Sequence, residues 1–407
     1  MPVEHRSIDD IGSPPLPSHY FLLMALIFAI NMAGTTLPAP LYPLYQHVFG
    51  FSNLTVSVIF ATYAVGVLGA LVTTGPWSDQ VGRRPVLFAG LIASALSALL
   101  FLCQGSLPIL LLARLLSGIS AGLFTATATI AVIELAPLQQ RGRATLAAGV
   151  ANMGGLGMGP LISGLLSQYA FWPLHLPYLL HLVLILVAAV LLWRLPETVT
   201  PPPRLQLRRQ PLGLPPEVRP LFVPAAVGCF AGFAVLGLFT SLAPAVMGQV
   251  LGLTNRAGIG VLVFTVFAAS LAGQMVQRRI PDSMRLPLAC VALLIGVGLL
   301  GLSIACGALQ ALIVAALIAG AGQGAIFAAS LAALADASPS GKKAEVTSLL
   351  FVIAYIAISV PIVSLGLAVE AFGLRDAGIA FTAAIMVLIA FTLLALWRLR
   401  RQAPSPV

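Results

Sequence analysis

Charge is what this sequence most lacks. Of its 407 residues, 8% are Asp, Glu, Lys or Arg and 59% are hydrophobic, with a mean hydropathy of +1.03. A soluble domain carries about a quarter charged residues, so this composition excludes a water-soluble fold and requires an integral membrane protein with many spans. Carboxylates are the scarcer sign, at 12 against 21 Lys and Arg. In a soluble protein the formal charge of +9 would suggest a nucleic-acid partner. Here it reflects topology, because basic residues collect in cytoplasmic loops, and no nucleic acid is expected. The four cysteines, Cys103, Cys229, Cys290 and Cys306, all lie in apolar runs and read as small buried hydrophobes. A pairing of Cys103 with Cys306, near equivalent ends of different spans, stays open. No Cys/His cluster has metal spacing and no convergent acid, base or ligand set is present. Neither a metal, a cofactor nor an enzyme activity is expected. Nor is the stretch through His19 expected to be a signal peptide: it carries Glu4, Arg6, Asp9, Asp10 and four prolines, without a basic start or short apolar core.

What the chain does have is apolar length. Runs of about 20 residues, enough to cross a bilayer, fall at 20–42, 54–76, 85–104, 107–134, 143–168 and 173–194, and again at 220–248, 257–277, 286–305, 308–335, 345–369 and 376–397. The fold class expected is all-α polytopic membrane protein, with about twelve helices in two six-helix bundles. A lipid-exposed strand would need a closed barrel. Threaded from a cytoplasmic N-terminus, the spans put 18 of the 21 basic residues inside, Arg256 and Arg375 outside, and Arg114 within the fourth span. Proline and charge mark 195–219 as a linker, through Leu195-Pro196-Glu197-Thr198, Pro201-Pro202-Pro203, Arg204, Arg208 and Arg209. The expected organisation is a cytoplasmic tail 1–19, a bundle 20–194, a cytoplasmic linker 195–219, a bundle 220–398 and a cytoplasmic tail 399–407.

The two halves repeat. Phe49-Gly50-Phe51-Ser52-Asn53 matches Leu251-Gly252-Leu253-Thr254-Asn255. Gly118 and Gly122 match Gly320 and Gly324, Glu134 and Pro137 match Asp336 and Pro339, and Arg83 and Pro85 match Arg285 and Pro287. Every pair is 202 residues apart. With an even number of spans per half, the repeats run parallel in the membrane, and a site is expected between them near the midplane.

One loop is unlike the rest. Gly75-Pro76-Trp77-Ser78-Asp79-Gln80-Val81-Gly82-Arg83-Arg84-Pro85 puts a rare carboxylate between two glycines and beside two arginines. A positive-inside loop accounts for Arg83 and Arg84 but not for Asp79 or the glycine spacing. The stretch resembles the Gly-x-x-x-Asp-x-x-Gly-Arg-Arg signature between spans 2 and 3 of the major facilitator superfamily of transporters. That resemblance implies a cytoplasmic gating latch, in which Arg83 or Arg84 pairs with Glu134 at the end of span 4 and Asp79 faces the start of span 11 near Ala344. For Glu134 and Asp336, interfacial charge balance is the alternative.

Two further features sit inside spans. Arg114, in Leu112-Ala113-Arg114-Leu115-Leu116-Ser117-Gly118, costs several kcal/mol unless it meets a partner or a wet cavity; snorkelling to the nearer interface is the alternative. Its Arg-x-x-x-Gly spacing resembles a second superfamily motif, which implies a part in proton transfer. In span 5, Gly155-x-x-x-Gly159-Pro160-x-x-Ser163-Gly164 resembles the antiporter motif Gly-x-x-x-Gly-Pro-x-x-Gly-Gly, departing from it at Ser163. Generic glycine-mediated helix packing is the alternative.

The candidate cavity residues are the few intramembrane polar groups and aromatics, Asn31, Phe124, Asn152, Gln323 and Tyr355. Thr35, Gln274, Phe28, Phe239 and Phe327 are further candidates. A wall this poor in charge suits a lipophilic substrate. The resemblance implies a drug:proton antiporter of the plasma (bacterial inner) membrane, with both termini cytoplasmic, working as a monomer on small molecules with protons as the coupling ion. Against this, span 1 has no carboxylate to take the proton, which leaves His175, His181, Glu134 and Glu370 as candidates. An uptake carrier or facilitator for a small metabolite such as a sugar or organic acid is the rival reading, and a non-transporting membrane sensor or membrane-embedded enzyme is the rival from another class.

Overall fold

The structure is a computed structural model and describes residues 17–75, 77–200, 212–339 and 341–402, with the side chains of 400 and 402 excepted. Most of the expected tails, the Arg204–Arg209 part of the expected linker, and Pro76 of the signature loop lie outside the described residues.

Among the described residues are twelve long helices: α1 His19–Thr36, α2 Asn53–Thr74, α3 Arg83–Leu102, α4 Leu107–Glu134, α5 Arg141–Tyr169, α6 Leu176–Arg194, α7 Arg219–Ser241, α8 Arg256–Val276, α9 Asp282–Cys306, α10 Leu309–Ala337, α11 Lys343–Phe372 and α12 Leu374–Gln402. No strand occurs among them. Lipid offers the backbone no hydrogen bonds, so a spanning segment must satisfy its own, and the helix does this. Eleven of the twelve are long and apolar enough to cross a membrane. The exception, α5, is 29 residues long but its glycines lower its hydropathy. It is sheltered between α1 and α8.

The repeat seen in sequence is a repeat in space. Gly50 and Gly252 each take a left-handed conformation, with φ of 68° and 66°, which a side chain would strain. A cap follows each turn: Ser52 Oγ accepts from Thr55 N at 3.2 Å and Asn255 Oδ1 from Gly258 N at 3.0 Å. Gly118 and Gly122 let α4 cross α2 backbone to backbone, at Tyr63, Gly66 and Val67; Gly320 and Gly324 do the same for α10 on α8, at Val266 and Ser270.

Helices α1–α6 and α7–α12 form the two bundles. They meet through α5 against α8 and α2 against α11. Both seams are tight at one end. A Cβ on Gly164 would lie 2.6 Å from Arg256 O, and one on Gly366 would lie 2.7 Å from Ser57 Oγ. Gln168 Oε1 accepts from Arg256 N across the same end. All these contacts are at the end of the molecule opposite the Asp79 loop.

Candidate functional site

Between the bundles lies a cavity of about 1060 Å³. Its wall runs from Thr35, Tyr42 and Arg114, near the closed end, to Asp79, Arg278, Arg285 and Glu345 among the loops at the other. Of the expected lining residues, Asn152, Gln323 and Tyr355 face it, as do Thr35, Gln274 and Phe327. Asn31 and Phe124 do not. Each is 0% exposed inside the first bundle. Asn31 Oδ1 accepts from Ser120 Oγ at 3.0 Å, and Phe124 packs on Phe28 and on Gly90 of α3. Phe28 and Phe239 are likewise core residues. Phe60, Tyr63, Phe233, Phe267 and Phe351 line the wall instead.

Arg114 does not snorkel. It is 1% exposed and donates to three carbonyls, Nη1 to Thr35 O at 2.6 Å, Nε to Ile59 O at 3.3 Å and Nη2 to Phe60 O at 3.5 Å. Thr35 lies in the last turn of α1, where carbonyls have lost their intrahelical partners. Helix α1 stops there because Pro38 and Pro40 supply no N–H. The guanidinium carbon also sits 4.8 Å from the centre of the Tyr63 ring and 5.8 Å from that of Phe60, within cation–π range. Among the described residues no carboxylate pairs with Arg114.

At the loop end, Arg83 is 6% exposed and grips Glu134 twice, Nη2 to Oε1 at 2.9 Å and Nε to Oε2 at 3.2 Å. Its Nη1 reaches Asp79 Oδ1 at 2.6 Å and Ser78 Oγ at 2.7 Å. Arg84 turns away to Trp193 O. The contact of Asp79 with α11 implied by the resemblance is not made: Asp79 pairs within its own bundle, and Ala344 lines the cavity beyond it. At this end the cavity lies between the bundles, with Asp79 on one wall and Ala344 and Glu345 on the other, and among the described residues Asp79 makes no ion pair with α11.

Glu197, which reads in the sequence only as part of a linker, completes this corner. Its Oε1 accepts from Arg83 N at 2.8 Å and its Oε2 from Arg84 N at 2.9 Å. The carboxylate thus satisfies two otherwise unpaired donors at the start of α3 and complements the helix dipole. Thr198 Oγ1 donates to Glu134 Oε2 at 2.6 Å, closing the network. Gly82 has φ 107°, and a Cβ there would lie 2.7 Å from Glu197 Oε2. Gly75, with an ordinary helical φ of −46°, carries no such demand.

On α5, Gly155 and Gly159 face α1 and Gly164 faces α8 of the other bundle. Pro160 cannot donate to Leu156 O; Thr36 Oγ1 of α1 donates there instead, at 2.7 Å. The motif therefore joins α5 to the broken end of α1 that also holds Arg114. The proton-holding candidates all stand off the cavity wall. His181 is buried beside Ser94 at 3.1 Å, His175 and Glu370 are exposed, and Glu134 belongs to the Arg83 corner.

Two pseudo-equivalent helical bundles around one membrane cavity open at a single end define the architecture of a transporter. Residues 24–360 match the Major Facilitator Superfamily, and the chain belongs to that family, whose members are in general not enzymes. Among curated proteins, none matches the sequence. A bacterial homologue of the human lysosomal transporter Spinster, inward-facing and unoccupied, superposes with a TM-score of 0.74 at 18% identity, covering 97% of this chain and 100% of that one. The human organic anion transporter MFSD10 (TETRAN) gives 0.65 at 19% identity, with 94% and 100% covered. At these identities the likeness is one of fold.

Proposed function

We propose that this protein is a secondary active transporter that exports hydrophobic small molecules in exchange for protons, as in the drug:proton antiporter branch. The observation that carries the reading is the cavity of about 1060 Å³ between the bundles, walled mostly by apolar and aromatic side chains and closed at the end opposite the Asp79 loop. In this reading the loop, both termini and the 195–219 linker are cytoplasmic, the membrane is the plasma (bacterial inner) membrane, and the described arrangement is inward-open. Rocking the bundles about the α5–α8 and α2–α11 seams would close the loop end and open the other. Asp79 would then meet the start of α11, which it fails to reach here. Proton coupling is supported by the antiporter-type Gly155, Gly159, Pro160 and Gly164 and by Arg114. The chain acts as a monomer.

A second reading, a facilitator or uptake carrier for an organic acid, is favoured by one observation. The only carboxylates on the described wall, Asp79 and Glu345, lie at the loop end. Efflux of a lipophilic dye from proteoliposomes under an imposed pH gradient separates the two. Gradient-driven efflux supports antiport; dye movement indifferent to the gradient supports the facilitator. Topology is tested by single cysteines at His47 and Leu138, both exposed, which must label from opposite faces of the membrane.

A further inference from the structure

Arg114 is a buried cation without an anion. Moving a charge from water into an apolar interior costs several kcal/mol unless a partner repays it. A guanidinium has five N–H donors. Carbonyls of Thr35, Ile59 and Phe60 take three of them, which leaves two N–H groups unspent. Neutral carbonyls also leave the net charge in place. Among the described residues nothing offers a remedy: the wall carboxylates Asp79 and Glu345 already pair with Arg83 and Lys342. They are also remote, since Arg114 lies twenty residues before the loop end of α4, about 30 Å along the axis. Around Arg114 the wall is uncharged, made of Thr35, Tyr42, Phe60 and Tyr63, and further apolar and aromatic side chains line the cavity towards the mouth.

We propose that Arg114 is an anion subsite at the closed end of the cavity, and that the transported molecule is an amphipathic monoanion whose acidic head neutralises it. The inference rests on the transporter reading above and names its substrate class. The apolar body packs along Phe233, Phe327 and Phe351, while the head accepts the unspent N–H groups through charge-assisted bonds. Arg278 at the mouth, which makes no ion pair among the described residues, favours the arrival of anions. A cationic lipophile of the same shape would be repelled at the closed end, and a neutral one would leave Arg114 uncompensated.

Three probes with one body and three heads test this: 2-naphthalenesulfonate, 2-naphthalenesulfonamide and 2-naphthyltrimethylammonium. Binding to the purified full chain is measured by calorimetry, and carriage by flux into proteoliposomes. The sulfonate should bind about tenfold tighter than the sulfonamide, with the ammonium weakest. Arg114→Gln should abolish the preference for the sulfonate over the sulfonamide, and Arg114→Lys should keep part of it. The order of heads in the unaltered protein decides the matter even if Arg114→Gln does not fold. If the three heads bind alike, or the ammonium binds best, the subsite is refuted, while carriage of the preferred probe leaves the transporter reading standing. If none binds and none is carried beyond protein-free liposomes, both readings fall.

Discussion

At the loop end of α3, Arg83 is buried, holds Glu134 with two bonds, and has its own backbone N–H capped by Glu197. At the equivalent place in the second half, the Arg285 side chain is 25% exposed. It pairs with its near neighbour Asp282, itself 85% exposed, and donates to the carbonyls of Gln277, Ile280 and Arg278. Asp336, the counterpart of Glu134, makes no ion pair among the described residues. The repeat places Pro281 where the first half has Asp79, Met284 for Gly82 and Leu399 for Glu197. Without a glycine to turn on, the chain enters the helix early, and α9 starts at Asp282 where the repeat of α3 would start at Arg285. Both halves therefore share glycine-mediated helix packing, while the charged corner of Arg83, Glu134 and Glu197 is present in one.

The sharpest way to break this comparison is to remove each arginine. Arg83→Ala leaves the part-buried Glu134 without its guanidinium and should cost about 2–3 kcal/mol; Arg285→Ala should cost less than about 1 kcal/mol. Thermal midpoints of the two purified variants, followed by tryptophan fluorescence, check this, and equal shifts would end the claim of asymmetry. Packing should show the opposite symmetry. Gly118→Ala and Gly320→Ala each force a Cβ into a neighbouring helix backbone, and both should cost about 1–3 kcal/mol and lower the midpoint alike. Glu197→Ala removes the cap of α3 and should cost about 1 kcal/mol. Leu399→Ala, its repeat counterpart, removes no cap and should leave the N-terminus of α9 as protected from hydrogen exchange as before. Smallest of all, Asp336→Asn should stay within about 0.5 kcal/mol of the parent. Its flux in proteoliposomes should match the parent, whereas Glu134→Gln should slow transport by loosening Arg83.

The loop chemistry was readable where residues of rare type stand at fixed spacing. The resemblance of the loop implied that Arg83 or Arg84 pairs with Glu134, but it placed Asp79 at the start of α11, whereas Asp79 pairs with Arg83. Glu197 carried the same signal of rarity, but proline on either side of it read as linker. The cavity wall was half legible. Asn152, Gln323 and Tyr355 face it, yet Asn31 and Phe124 point into their own bundle. In a soluble helix the polar face marks the side away from the core. Here α1 and α4 are apolar all round, because lipid and protein interior favour the same side chains, so period alone does not distinguish lumen from core.

By itself the sequence determined the features that solvent and spacing dictate. Too little charge for water, runs of bilayer length, and a constant 202-residue step require a membrane protein of two repeated helical halves. It placed Arg114 in an apolar span but left burial and snorkelling both open. Only the tertiary structure decided what Arg114 would find there. Its carbonyl partners come from α1 and α2, more than fifty residues away, and are free or within reach only because α1 breaks at Thr36 and glycines bring α2 against α4. The same holds for the open end of the cavity. Which seam closes depends on how whole bundles lean on one another, a balance among surfaces that no local run of residues encodes.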